Sequence, residues 1–511
     1  MRIKFISVLT LISIFFFAFA QNSFSGNAPI ISERVSRAVN QNQKVRVMIK
    51  LKEAYESPSV SRMTTAKDPA RFISRRSVRR LQAKLESSFT AGELNSDINI
   101  VHRLENIPWV TGKISQRALN RLRNNPNVAM VSEDLHIRAF LAESGPMIGS
   151  DTAHGYGFTG RGINVAVLDT GIDTDHPELQ DDIIREECFL DTGCPITGTS
   201  RASGPGSAED GDDHGTHVSG IITSSNSIYK GIAPDAGIVA IKVLNNEGNG
   251  YTSNFVAAAD WMITNSDTYD IRVINMSLGT YDVFPGECDK LPGIPPENQA
   301  GIDALNAARN AGIAVFASSG NDAETANMSA PACISSVISV GAVYDANVGF
   351  QGWSGCSDSF TSADKVVCFS NVSSALDILA PGSITMSSGR GGGSTSMSGT
   401  SMSSPHAAGV AALMLDKNPG LTVDEIESIL KNTGTSIYDS RVGVYKDFPR
   451  INAAAALNSV EEANIHPYDT DEDCVIDDFE LLNAIDDWAA GNLGDFELLD
   501  LIDFWAGGSY C

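Results

Sequence analysis

No cysteine occurs before Cys188, and no two of the eight cysteines stand three positions apart, so the Cys-x-x-Cys spacing of a zinc site or a redox dithiol is absent. Aromatic residues are sparse at 7%, and charged residues make up only 19%. Basic residues are scarce beyond residue 140, where 15 lysines and arginines stand against 52 acidic residues. That surplus of acid argues against nucleic acid as a partner. After the first twenty residues no apolar run is long enough to span a bilayer.

The first twenty residues hold Arg2 and Lys4, then an apolar run from Phe5 to Phe19 and the small-x-small sequence Ala18-Phe19-Ala20. This reads as a signal peptide over 1–20 and predicts a secreted, extracellular or cell-surface protein; the alternative is an uncleaved anchor. In an exported chain an even cysteine count favours disulfides over metal ligands. Cys188/Cys194 and Cys356/Cys368 are near neighbours suited to local loops, which leaves Cys288/Cys333 and Cys474/Cys511 by elimination. A length of 511 residues with 42% apolar content predicts two to four domains.

Residues 21–140 carry 20 basic against 10 acidic side chains, a net +10, whereas the remainder to 511 carries −37. Two pieces of opposite charge attract at low ionic strength. In the basic piece, strand-like alternation at Lys44–Leu51 is followed by helical spacing near Phe72–Phe89 and strands at Ile98–Leu104 and Trp109–Ile114. A helix near Ser115–Arg123 and a strand at Val128–Val131 complete it. The order β-α-β-β-α-β predicts a small ferredoxin-like domain at about 40–137. From Gly160 onward, short apolar strands alternate with helices: Ile163–Leu168, Gly237–Val243, Arg272–Met276, Ala314–Ala317, Ser336–Val340 and Leu376–Leu379. This predicts an α/β domain, a parallel sheet with helices on both faces, whose active site lies at the carboxyl ends of the strands.

Three motifs fall at such ends. Val165–Gly171 is an apolar strand closing on Asp169 and a glycine turn, and Asp210–Gly220 sets His214 just before a run of small residues that opens a helix. Gly399–His406 places Ser401 at the start of the helical stretch 407–413. Read singly, each has a plainer explanation: a strand that ends in aspartate, a structural histidine, a helix-capping serine. Together they supply what a serine hydroxyl needs to act as a nucleophile, a base within reach and an acid to fix the base's tautomer.

In this chain order the three motifs resemble those of the subtilisin-like (subtilase) serine peptidases, over roughly residues 150–458. The resemblance implies a serine-type endopeptidase in which Asp169 orients the imidazole, His214 is general base and acid, and Ser401 is the nucleophile. It makes Asn321, in Ala317-Ser318-Ser319-Gly320-Asn321, an oxyanion donor beside the Ser401 N–H. It also makes Ser277, Leu278 and Gly279 one wall of the substrate pocket and Ser318, Ser319 and Gly320 the other, with the peptide pairing as an added strand. Residues 40–140 resemble the family's inhibitory propeptide, which implies a propeptide over 21–140 with a tail from His136 to about Ser144 lying in the cleft. A monomeric zymogen acting on proteins or peptides is therefore expected, its catalytic domain running over 141–460 and its own propeptide serving as inhibitor. Departures are an insertion bearing Cys188 and Cys194 and a shortened Asn321–Pro331 segment, and no organic cofactor or catalytic-domain calcium ligand is implied. Asn327 and Asn371 are glycosylation sequons, better placed than the buried-strand sequon at Asn275.

The C-terminal module, 461–511, repeats itself: Asp478–Leu482 aligns with Asp495–Leu499, and Trp488 with Trp505, which predicts two packed amphipathic helices. Before them, Asp469, Asp471, Asp473 and Glu480 have the spacing of a dockerin-like or EF-hand calcium loop, with Cys474 where glycine is usual. One calcium ion and a docking partner for this module are the expectations; the alternative is a merely acidic loop before two packed helices. A rival for the whole chain is a surface binding protein that keeps the fold without turnover.

Overall fold

The computed structural model describes residues 29–39, 44–52, 75–90, 92–134, 136–139, 147–441 and 446–462, together with 481, 485 and 502. The signal segment, the acidic loop with Asp469, Asp471, Asp473 and Glu480, and the Cys474/Cys511 pair lie outside the described residues. Among the described residues no helix is long and apolar enough to cross a membrane.

The N-terminal unit has the predicted order: β1 (Val45–Leu51), α1 (Arg75–Glu86), β2 (Ile98–Arg103), β3 (Trp109–Ile114), α2 (Gln116–Leu122) and β4 (Val128–Glu133). Alternation in β1 and β3 turns Val47, Ile49, Val110 and Ile114 into one core with Leu81 and Leu85 of α1 and Leu119 and Leu122 of α2. Ser115 caps α2 by accepting from the Ala118 N–H. An edge strand at Ile30–Ile31, pairing parallel with β4, was not anticipated because two residues carry no periodicity. Past β4, the strand β5 (His136–Ala139) leaves this unit and pairs elsewhere.

The larger unit is built on β6 (Asn164–Asp169), β7 (Ile183–Phe189), α3 (His214–Thr223), β8 (Gly237–Lys242), β9 (Asn249–Tyr251) and α4 (Thr252–Asn265). It continues with β10 (Ile271–Met276), β11 (Leu278–Thr280), α5 (Gln299–Asn310), β12 (Ala314–Ser318), β13 (Ile338–Tyr344), β14 (Ile378–Gly389) and α6 (Thr400–Lys417). Eight strands run parallel in the order Lys446–Arg450, β14, β13, β12, β10, β6, β8, β7. Both faces are covered, which is why β8, β12 and β13 are buried throughout and mostly apolar, with Lys242, Ser318 and Ser339 among the exceptions. One face packs on α4 and α5, the other on α3 and α6. Antiparallel strands flank the parallel set, Arg201–Ser203 beside β7 and Thr435–Asp439 beside Lys446–Arg450.

The sheet departs from expectation at β7, an additional strand in the cysteine-bearing insertion. Its sequence Ile-Ile-Arg-Glu-Glu-Cys-Phe conceals it, because Glu187 is buried and held by Arg185 at 2.7 Å and by the Ser203 hydroxyl at 2.6 Å. Disulfides join Cys188 to Cys194, Cys288 to Cys333 and Cys356 to Cys368.

The units meet through charge. Arg46 pairs with Asp134 at 2.9 Å and with Asp191, which also takes Lys113 at 2.7 Å; Lys50 pairs with Asp303 at 2.6 Å, and Arg34 with Asp282 at 2.9 Å. Most of these join a basic residue before 140 to an acid after it, the polarity that the sequence predicts. The fully buried Trp109 adds an indole N–H to Asp303 at 3.0 Å, and the Asp260 carboxylate of α4 accepts the Asn106 N–H at 2.6 Å.

Candidate active site

β6 places Asp169 at its carboxyl end, and the turn after it needs glycine at Gly171, where φ is +114 and a Cβ would strike the Ala208 carbonyl at 2.1 Å. Asp169 Oδ1 accepts from His214 Nδ1 at 2.7 Å and from the Thr170 N–H at 2.6 Å; both side chains of the pair are fully buried. A carboxylate can only accept, so Nδ1 is the protonated nitrogen and Nε2 keeps a lone pair. Thr170 Oγ1 accepts the Gly215 N–H at 2.8 Å, which locks the start of α3 to the end of β6.

Ser401 opens α6, which packs against α3. Its Oγ lies 3.3 Å from the Ser277 carbonyl, and Ser277 Oγ returns a bond to the Ser401 carbonyl at 2.5 Å. Asn275 pairs with Val167 across β10 and β6, so Ser277 continues that register to the level of Asp169. Asp169, His214 and Ser401 therefore converge at one end of the sheet. The neighbouring histidines do not take part: His217 and His406 are committed to the carbonyls of Thr385 and Met402, and burial pushes them down to about 3 and about 4.

Asn321 follows β12 and uses Oδ1 to accept the Thr400 N–H at 2.7 Å and the Thr400 hydroxyl at 3.1 Å. Its amide NH2 is thereby the end left to donate, next to the N-terminus of α6, where the helix dipole favours negative charge. Asn321→Asp keeps the acceptor and removes the donor. It is expected to lower kcat on the order of 10²–10³-fold with KM little changed, checked by steady-state kinetics on a chromogenic peptide.

Ser277, Leu278 and Gly279, which follow β10, and Ser318, Ser319 and Gly320, at the end of β12, are all buried. Gly320 has φ +109, and a Cβ would meet Asn371 Nδ2 at 2.3 Å. Asn371 itself was missed as a site residue. Its Oδ1 accepts the Asp322 and Glu324 N–H groups at 2.9 and 3.0 Å, and its carbonyl takes the Ser319 hydroxyl at 2.8 Å, so it holds the turn after β12. It is fully buried, so its sequon is not the accessible site the sequence suggests, while Asn327 is half-buried and bonded to Glu324 at 2.7 Å. Glycine spacing after β12 was the available signal for a crowded turn.

The cleft between β9 and β11 is occupied by β5. Gly250 and Thr280 stand opposite Ile137, and Gly279 opposite Arg138, so β5 is the middle strand of a three-stranded antiparallel sheet. Among the described residues no group of three or more His, Cys, Asp or Glu side chains could hold a metal ion.

The subtilase family model matches residues 160–489. The chain is 33% identical over 367 residues to an alkaline protease of Alkalihalobacillus alcalophilus, covering 70% of this chain and 83% of that one. It is 34% identical over 336 residues to subtilisin NAT of Bacillus subtilis subsp. natto and 33% identical over 336 residues to subtilisin E of Bacillus subtilis; each match covers 64% of this chain and 75% of the relative.

Proposed function

Because this chain belongs to the subtilase family and is a serine endopeptidase, we propose that it is exported as a self-inhibited zymogen and cuts peptide bonds through an acyl-enzyme on Ser401. His214 takes the hydroxyl proton through Nε2 and returns it to the leaving amine, while Asp169 holds the imidazole and balances its charge. The Asn321 amide and the Ser401 N–H receive the oxyanion. Extended substrate enters as the middle strand between β9 and β11, with Ser277–Gly279 and Ser318–Gly320 forming the pocket.

The observation that carries this reading is β5: a strand of the chain itself fills the substrate position in front of an assembled Asp169–His214 pair. Residues 1–20 are the signal peptide, 21–140 the propeptide, 141–460 the catalytic domain and 461–511 the C-terminal module. The register supports a boundary at 140/141, since Ala139 stands opposite Leu278, one residue short of the Ser277 carbonyl beside Ser401 Oγ. We further propose a monomer whose C-terminal loop binds one calcium ion through Asp469, Asp471, Asp473 and Glu480, the module serving to dock a partner. The intact masses of wild type and Ser401→Ala, each made without residues 1–20, test the zymogen. Wild type should shed ~12–14 kDa, the mass of about 120 residues, and the mutant should stay whole. Normal maturation of the mutant in a protease-free host would sink the proposal.

His102 makes the docking of the propeptide depend on pH. It lines a cavity of about 320 Å³ between the two units, facing Phe189 and Arg201, with Asp260 across it. Burial, helped by Arg46 and Arg201 and opposed by Asp191, pushes it down from 6.5 to about 4. Above pH 6.5 the ring is neutral whether docked or free, and docking is undiminished. As pH falls from 6.5 towards 4 the free propeptide takes up a proton that the docked one refuses, so docking weakens. The processed propeptide should leave the enzyme faster at pH 5 than at pH 7, by about tenfold, and His102→Leu should remove most of that difference in a stopped-flow release assay.

A further inference from the structure

A lysine stands beneath the triad. Lys242 ends β8, pairs in register with Asp169, and is 1% exposed. Its Nζ donates to the Thr170 carbonyl, so the residue that bonds both Asp169 and Gly215 is itself held from below by a cation. Around the ammonium are the carboxylates of Asp210, Asp169, Asp212 and Glu209. A buried ammonium is costly unless compensated; burial pulls Lys242 below its ordinary value, and this cluster offsets part of that cost.

The compensation runs in both directions. Asp210 is already occupied by the Thr216 N–H and hydroxyl at 3.0 and 2.6 Å and by the Asp212 N–H at 2.9 Å. Asp169 Oδ2, by contrast, is buried and has no hydrogen-bond partner among the described residues. One oxygen of the triad acid thus faces His214 while the other relies on the local field, whose positive source is Lys242. His214 itself faces Asp169, Asp212 and His217.

We propose that Lys242 is a positioning residue for peptide hydrolysis: its ammonium fixes the Asp169–Gly171 turn through the Thr170 carbonyl and offsets the negative field that Asp169 and Asp212 exert on His214. The proposal rests on the assignment of Asp169, His214 and Ser401 as the triad. Without the cation those carboxylates stabilise the imidazolium, His214 keeps its proton to higher pH, and it fails as a base in the neutral range. The effect enters through charge, so arginine in place of lysine should preserve it, whereas an uncharged side chain of similar length should not.

The test is the pH profile of kcat/KM for the processed enzyme and for Lys242→Met, Lys242→Gln and Lys242→Arg, with rates normalised to sites labelled by a fluorophosphonate. Lys242→Met and Lys242→Gln should move the acid limb upward by about half to one pH unit. Glutamine keeps a donor for the Thr170 carbonyl, so a shift shared by both neutral variants assigns the effect to charge. Lys242→Arg should leave the limb near its wild-type position. An unmoved limb in the folded variants, with kcat/KM lowered equally at every pH, makes Lys242 a purely structural residue and overturns the proposal. Failure of both neutral variants to fold has the same consequence. Failure of the triad assignment would look different, because the wild-type enzyme would then lack both the limb and the label at Ser401.

Discussion

Ser401→Ala and His214→Ala should each lower kcat on the order of 10⁶-fold, and the double variant should be no worse than either single one. The reason lies in the interdependence of the two side chains. A serine hydroxyl attacks only as its proton departs, and the nitrogen placed to take that proton is His214 Nε2, since Nδ1 is committed to Asp169 at 2.7 Å. Remove either side chain and the other has no task, so the second deletion costs nothing further; this non-additivity is the behaviour of a subtilisin triad taken apart. Some 10³–10⁴-fold acceleration over water should survive, supplied by Asn321, the Ser401 N–H and strand pairing in the cleft. Because such variants would not process themselves, the assay requires the propeptide to be removed by an added protease. Additive losses in the double variant would show that Ser401 and His214 do not act as one unit.

Asp169→Asn should leave the fold intact and lower kcat about 10⁴-fold. Asn fits the space, but Oδ1 alone accepts from both His214 Nδ1 and the Thr170 N–H, while Oδ2 has no hydrogen-bond partner among the described residues. An amide that keeps its oxygen there withdraws the negative charge that balances the imidazolium. One that turns its NH2 there sets a donor where an acceptor stood; the imidazole must answer with an unprotonated Nδ1, which moves its proton to Nε2, and a protonated Nε2 cannot accept from Ser401. Loss in kcat with near-normal KM, and with Tm within a few degrees of wild type, is the expected signature. A loss confined to KM would contradict the tautomer argument.

How far the sequence discloses this site depends on how local each role is. Asp169, His214 and Ser401 each sit where a strand ends or a helix begins, so turn glycines and small-residue runs mark them, and the β-α-β-β-α-β order of the N-terminal unit follows from periodicity alone. Asn371 and Lys242 are different. Asn371 reads as an exposed sequon because its two N–H partners, Asp322 and Glu324, are about fifty residues away. Lys242 reads as the polar end of a strand because nothing near it in sequence reveals four carboxylates gathered by other segments. The strand β7 was concealed for the same reason: Glu187 looks like a solvent residue until Arg185 and Ser203 are seen to hold it. Roles created by long-range contact leave no pattern in a window of ten residues.

The cleft that β5 occupies accepts its guest by backbone pairing with Asn249–Tyr251 on one side and Leu278–Thr280 on the other. Two facing edges of this kind can grip only a chain that has surrendered its own secondary structure over several consecutive residues. Vulnerability to this protease is therefore a property of the victim's local opening equilibrium as much as of its side chains. A compact protein whose loops rarely open survives beside the enzyme, while a nicked, partly unfolded or heat-loosened one is consumed.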